Sequence, residues 1–422
     1  MKRLTLRSSR FTAAHLSELI TSEVSSVRDM PSSFCALLNL SKKIIGPTEL
    51  LALREQFDAG QASQEELTAA EDKAIRDVVA FQRSVGIKSV TDGEFRRHMF
   101  FDGFFDNLDG MVTIKNPSKE LFNMWVPDIK AFFDSPAAKP AETTLCQSKL
   151  VRNKPMYRPQ FEFLASTLPM EEIKDAKMTL CAPEWFHLRH GAHAYGDVYE
   201  NDAAYFADIA KAYREELADL YAAGCRVVQF DDPILAYFCS QPMLDGMKAD
   251  GIDSDAMLDS YIKLYNDCLE GHPTDMTICL HLCRGNFKGG MHFSEGGYDA
   301  ISSKLFKDLN ADSYLLEYDT DRAGGFEPLA DLPAHKTVVL GLITSKFPQL
   351  EKKEDLVKRI HEAAGFMAQG SGQSKDEALK RCMISPQCGF ASHADGNEMS
   401  DADVHAKLSL VVETAKSVWS DA

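Results

Sequence analysis

The sequence predicts a single (β/α)8 barrel of the TIM type with insertions, and three observations point to it. From residue 177 onward, short β-branched runs alternate with longer amphipathic segments, the rhythm of parallel βα units. Counted back to a first strand near 10–14, the units number about eight, the count such a barrel needs. Six chemistry-bearing residues, Glu94, Asp231, His281, Cys283, Glu317 and Cys388, fall at or just past the C-terminal ends of predicted strands. In a barrel those ends converge on one mouth, where active sites lie.

The elements follow in order. Residues 1–17 carry Lys2, Arg3, Arg7 and Arg10 with no acid before Glu18. They read as a basic arm entering the first strand, with a weaker likeness to a mitochondrial transit segment. Residues 18–50 show no clear period and read as loop with one short helix. A charged helical pattern occupies 48–80, with a stop at Gly86. A short strand at 87–90 runs into Thr91-Asp92-Gly93-Glu94-Phe95-Arg96-Arg97, and 100–175, rich in Phe and Pro, reads as an irregular insertion between early barrel units. Strands are then expected at 177–181, 226–230, 276–281, 313–316, 337–342 and 382–384. Helices are expected at 203–223, 256–270, 298–309, 353–367 and 402–419, the first two closed by Gly224 and Gly271. No fixed-period repeat is visible, so a solenoid is excluded.

At 422 residues with 45% hydrophobic and 26% charged residues, the chain can bury a large core. Its 63 acidic against 46 basic residues give a net charge of −17, which argues against nucleic acid and anionic membranes as partners. No apolar run approaches the roughly 20 residues of a membrane span. The ten cysteines are scattered without a CxxC pair, and no secretory h-region is seen, so a reducing, cytoplasmic setting is expected. Soluble barrels often form homodimers, but nothing in the sequence demands one.

The stretch MTICLHLCRGN, residues 276–286, organises the site. On a strand, His281 and Cys283 at i, i+2 share a face and offer imidazole and thiolate to one ion. With Glu317 and Cys388 they make an N, S, O, S set suited to Zn2+. Spacing alone leaves either cysteine free to be a packing residue. The chemistry such a set favours is holding a substrate thiol as thiolate, since metal coordination removes the thiol proton outright. Two cysteine ligands weaken zinc as a Lewis acid, which favours thiol alkylation over water activation.

The order DGE, FDDP, HLCRGN, LEYD, SPQCGFAS resembles the cobalamin-independent methionine synthase family, in particular short single-barrel members matching the catalytic half of the full enzyme. The likeness runs from about Phe11 to the C-terminus. It implies one barrel domain over 1–422 and zinc-dependent transfer of a methyl group from a small-molecule donor to a thiol, homocysteine, giving methionine through a zinc-bound thiolate. His281, Cys283, Glu317 and Cys388 are the implied zinc ligands, and Glu94 and Asp231 the carboxylates holding the amino group of the thiol. His15, in Phe11-Thr12-Ala13-Ala14-His15, either lines the mouth as a substrate contact or caps a strand. Two departures stand out. A Gly-Ser-Leu turn of the short members is absent and 16–45 reads as an atypical insertion. After the strand at 337–342, the position of a proton-transferring His in the methyl-folate enzymes falls in Leu342-Ile343-Thr344-Ser345-Lys346.

Other residues keep two readings. Arg284 and Asn286 either contact a substrate carboxylate or merely end a strand. Trp185 beside Arg189 either stacks on a donor ring or packs, and Arg96 and Arg97 are expected to pair with carboxylates around the site. Cys225, Cys268, Cys279 and Cys382 are expected in the core. The competing functions are another zinc-dependent thiol alkyltransferase, such as an epoxide-opening one, a metal-free porphyrinogen decarboxylase relative, and a non-catalytic zinc-binding barrel.

Overall fold

The computed structural model describes residues 47–134, 142–390, 397 and 399–419. The expected first strand at 10–14, His15 and the insertion at 16–45 lie outside the described residues.

Two antiparallel strands, β1 (Asp109–Lys115) and β2 (Glu142–Val151), precede six parallel ones: β3 (Lys177–Cys181), β4 (Val227–Asp232), β5 (Thr277–Leu282), β6 (Ser313–Glu317), β7 (Thr337–Ile343) and β8 (Cys382–Pro386). The six pair in chain order, each neighbour following the last through a helical crossover. All six predicted strands from 177 onward are present, and the fold is of the (β/α)8 barrel class. Strands β3, β4, β5, β6 and β8 are buried at every residue. Parallel strands covered on both faces read as continuous apolar runs, which is why these were legible.

Alternation within the strands separates two layers. Val228 and Phe230 of β4 face the helices, where Phe230 packs on Tyr213 and Tyr265. Val227, Cys279, Leu315, Val339 and Met383 form a separate cluster, the floor of the barrel interior. Two residues further along β4, β5 and β6 the same face carries Gln229, His281 and Glu317, because side chains alternate with period two. The inner face thus turns from apolar to polar toward the C-terminal ends.

The helices are close to expectation downstream: Asp202–Ala222, Ser254–Leu269, Lys353–Ser371 and Asp401–Val418. Three expectations need correction, two upstream and one, over 298–309, downstream. The helix expected over 48–80 is two, Pro47–Asp58 and Gln64–Ser84. Gly60 takes φ +70 between them, and Ser63 with Glu66 closes a capping box that starts the second. The segment 87–90 is not a regular strand; it lies beside β3 through one backbone bond, Lys177 N–H to the Val90 carbonyl at 2.9 Å. The helix expected over 298–309 divides into a 3-10 turn, Tyr298–Ala300, and a short helix, Ser302–Asp308.

The insertion at 100–175 is ordered where described. Helix Pro127–Asp134 lies in the connection between β1 and β2, and helix Arg158–Ser166 follows β2. A bulge falls between Asp109 and Met111, and Gly110 at its centre has φ +99. A Cβ there would lie 2.5 Å from the Ser148 carbonyl oxygen, so only glycine fits. Among the described residues, no helix is long and apolar enough to cross a membrane.

Candidate functional site

Strand ends bring the predicted residues together. His281 is the last residue but one of β5, Cys283 immediately follows that strand, Glu317 closes β6, and Cys388 lies two residues past β8. One ligand atom from each lies within 4.8 Å of all the others. The Cys283 and Cys388 sulfurs are 3.7 Å apart. His281 Nδ1–H donates to the Leu315 carbonyl at 3.3 Å, and its buried Nε2 has no hydrogen-bond partner. Such a pairing of Nδ1 with a backbone carbonyl is how metal-binding imidazoles are oriented.

The electrostatics call for a cation. Burial alone would lower the His281 imidazolium, yet Cys283, Asp231 and Glu317 raise it to about 9. Burial works against the Glu317 carboxylate too, but Arg322, Lys346 and His281 hold it below its ordinary value. Arg284 N–H donates to Glu317 Oε1 at 2.9 Å and Arg322 Nη2 to Oε2 at 2.7 Å, fixing the carboxylate plane. Gly285 N–H donates to the Cys283 sulfur at 3.3 Å, while the adjoining Cys388 thiol and burial hold the Cys283 thiol well above its ordinary range. A buried imidazole nitrogen without a hydrogen-bond partner, two adjoining thiols and an oriented carboxylate fit a divalent ion of zinc's borderline softness.

A polar network fastens the loop of Cys388 to that of Cys283. Gln387 Nε2 donates to Ser345 Oγ at 2.9 Å, and Ser345 Oγ–H to the Gly389 carbonyl at 2.8 Å. Asn286 Nδ2 donates to the same carbonyl at 2.6 Å, and Asn397 Nδ2 to Asn286 Oδ1 at 2.8 Å. Asn286 therefore braces the site. Arg284 is fully buried, with its guanidinium 4.4 Å over the Tyr298 ring, and does not line the cavity.

Above the sulfurs opens a cavity lined by Glu94, Asp231, His281, Cys283 and Cys388 among others. Glu94 sits at its wall with φ +58, a left-handed conformation rare for a non-glycine residue. Strain of this kind concentrates at functional sites. The turn is held by Glu94 N–H donating to Asp92 Oδ1 at 2.9 Å and by Gly93 at φ +68. Thr179 Oγ1–H donates to Glu94 Oε1 at 2.6 Å, while Arg97 donates to Thr179 Oγ1 at 3.1 Å and its carbonyl at 2.8 Å. Burial raises the Glu94 carboxyl to about 7; Arg97 opposes this and Asp231 adds to it. Gln229 Nε2 donates to Asp231 Oδ1, and buried Lys177 donates to Gln229 Oε1 at 2.7 Å.

Arg97 thus faces the site, whereas Arg96 turns to Glu71 and Asp72. Trp185 lines the cavity, stacked on Phe101 at 4.6 Å and covered by the Arg189 guanidinium 3.4 Å from its ring; Arg189 also binds Asp128. Cys225, Cys268, Cys279 and Cys382 are buried. Sequence reasoning missed Thr179, Gln229 and Lys177, polar residues inside strands. It also missed Asp128 and Phe132, whose lengths of chain were read as irregular.

Comparison with known proteins agrees with this architecture. The family model for the catalytic domain of cobalamin-independent synthase matches residues 193–417. The uncharacterized protein YxjG of Bacillus subtilis (strain 168) is 35% identical over 368 residues, 87% of this chain and 90% of that one. A crystal structure from Listeria monocytogenes, of a candidate vitamin-B12 independent methionine synthase, superposes with TM-score 0.65 at 26% identity, covering 91% of this chain and 99% of that one. The B12-independent methionine synthase of Shewanella sp. W3-18-1 shares the fold, with TM-score 0.60 at 21% identity, covering 85% and 90% of the two chains. With that model laid over β4 to β8 and all four candidate ligands inside its bounds, this chain belongs to the cobalamin-independent methionine synthase family.

Proposed function

We propose that this protein is a zinc-dependent methyltransferase that moves a methyl group to the thiol of homocysteine, giving methionine. The observation that carries the reading is the convergence of His281, Cys283, Glu317 and Cys388 to within 4.8 Å beneath a cavity that also bears Glu94 and Asp231. The four would hold the zinc. Zinc, when bound, supplies the charge that keeps the acceptor sulfur deprotonated at neutral pH.

The remaining work falls to the chain's own side chains. Glu94 and Asp231 are the anions that take the acceptor's ammonium group, a charge-assisted contact in a dry setting. Thr179 and Arg97 fix Glu94 through Oε1, which leaves Oε2 for the ammonium. Gln229, held by Lys177, fixes Asp231. An acceptor without an amino group leaves this pair unmatched, which weighs against an epoxide-opening thiol transferase. The Listeria monocytogenes relative, described as a candidate vitamin-B12 independent methionine synthase, supports the same activity.

The test is metal analysis of purified protein together with methionine formation from homocysteine, for wild type, Cys388→Ser and His281→Ala. About one zinc per chain is expected in wild type, sharply reduced in both variants along with turnover. Wild type that takes up no zinc when supplied with it sinks the assignment.

A further inference from the structure

The cavity wall bears two aromatic groups. Phe100 and Phe101 pack on Trp185 with ring centroids 5.1 and 4.6 Å away. Phe132, Phe287 and Phe293 form the other group, in edge-to-face contacts of 4.9 to 6.0 Å. All six line the cavity. Among the described residues, neither lysine nor arginine lines it, and its carboxylates are Glu94, Asp128 and Asp231.

We propose that the methyl donor taken by this cavity is a small onium cation, a methylsulfonium or a methylated quaternary ammonium; this rests on the thiol-methylation reading above. Aromatic faces attract onium groups through the ring quadrupole. With neither lysine nor arginine among the described residues that line it, the cleft offers an anionic donor no counter-charge. The reaction itself favours such a donor. A sulfur lone pair of the acceptor thiolate forms the new S–CH3 bond. The donor's S–CH3 or N–CH3 bond breaks, and its electron pair stays on the donor atom, which leaves as neutral sulfide or tertiary amine. The thiol proton has gone to solvent beforehand, and no oxidant or reductant takes part. Thiolate and onium cancel their charges, a change that a desolvated cavity promotes because neither product needs hydration.

A donor that departs as an anion would need an acid beside it. On this wall the Tyr237 hydroxyl is held by burial far above its ordinary range. Glu94 and Asp231 are committed to the ammonium of the acceptor.

The test offers zinc-loaded protein and homocysteine a methyl-labelled donor from each class: S-methylmethionine, dimethylsulfonioacetate, glycine betaine, a methylated reduced pteridine and methylcobalamin. Labelled methionine from a sulfonium or from the betaine is expected, and which of them works identifies the onium. Phe132→Leu and Phe287→Leu are expected to raise KM for that donor by about ten-fold. Separately, trimethylsulfonium is expected to quench tryptophan fluorescence of the metal-free protein, a signal lost in Trp185→Phe. Labelled methionine from the pteridine or the corrinoid alone, without quenching, overturns the onium assignment and leaves thiol methylation standing. Zinc binding without transfer from any of the five, and without quenching, overturns both.

Discussion

The sulfurs of Cys283 and Cys388 stand 3.7 Å apart although 105 residues separate them in the chain. Two thiols that close, both partly exposed, would share the proposed zinc and are open to oxidation without it. Metal-free protein treated with diamide is therefore expected to lose both thiols and yield a peptide pair cross-linked between 283 and 388. Zinc added first should protect them. Peptide mapping that finds both sulfurs modified singly would contradict their juxtaposition.

In its proposed role, Glu94 would couple substrate binding to stability in opposite senses. Its carboxyl is raised from 4.5 to about 7 in the folded protein, chiefly by burial. The folded chain thus binds a proton the unfolded chain has released, so stability is greatest below about 4.5 and declines as pH rises through 7. Glu94→Gln removes that penalty and should stabilise the fold at pH 8 by on the order of 3 kcal/mol, read as a higher Tm, with the difference vanishing near pH 4. The same variant should raise KM for homocysteine by about ten-fold or more, since a desolvated ammonium loses its anion. In wild type, KM for homocysteine should fall as pH rises through about 7, where Glu94 ionises. A flat KM profile from pH 6 to 8 would remove Glu94 from the binding site.

The residues themselves explain what the sequence made legible. His281, Cys283, Glu317 and Cys388 could be read because each ends or follows a strand buried on both faces, and such strands announce themselves as apolar runs. Thr179 and Gln229 could not, because a polar residue within a strand carries no spacing signal of its own; only pairing with β4 and β5 turns them toward the site. The ribbon at 109–151 was opaque for another reason. Strand β1 is exposed or half-buried along its whole length, so it shows no alternation to read. The split at Gly60 was readable: Ser63 and Glu66 are a capping box in plain sequence, overridden by the charged helical pattern around it.

Arg54 ties the first described helix to the Glu94 turn. Its guanidinium donates to Glu71 Oε1 at 2.8 Å, to the Phe95 carbonyl at 2.6 Å and to the Arg97 carbonyl at 3.1 Å. Both partners of this ion pair are buried. Arg54→Ala leaves Glu71 and two carbonyls short of a donor and should cost about 3–5 kcal/mol in urea unfolding. Because the lost bonds brace Phe95 and Arg97, the variant should also raise KM for homocysteine while leaving zinc content unchanged. Loss of zinc in a folded Arg54→Ala protein would mean that the turn supports the metal ligands as well.

Gly341 sets the spacing between two of the four ligands. It lies in β7 opposite Glu317 of β6 on one side and Ser385 of β8 on the other. A Cβ at this position would stand 2.8 Å from the Leu316 carbonyl oxygen and 2.7 Å from Gln387 Cα, closer than real Cβ atoms come to backbone. Both contacts are backbone, so no side chain can swing away to make room. Gly341→Ala must therefore push the Glu317 strand end or the Cys388 loop outward by several tenths of an ångström. Overpacking of this kind should destabilise the fold by about 1–3 kcal/mol. The larger effect should be on the metal, since ligand distances tolerate only about 0.2 Å of error. Competition with a chromophoric chelator should show zinc affinity reduced by about ten-fold or more, comparable to the loss of a bracing group around a metal ligand. Unchanged zinc affinity in the alanine variant would show that the ligand loops adjust independently of the strands that carry them.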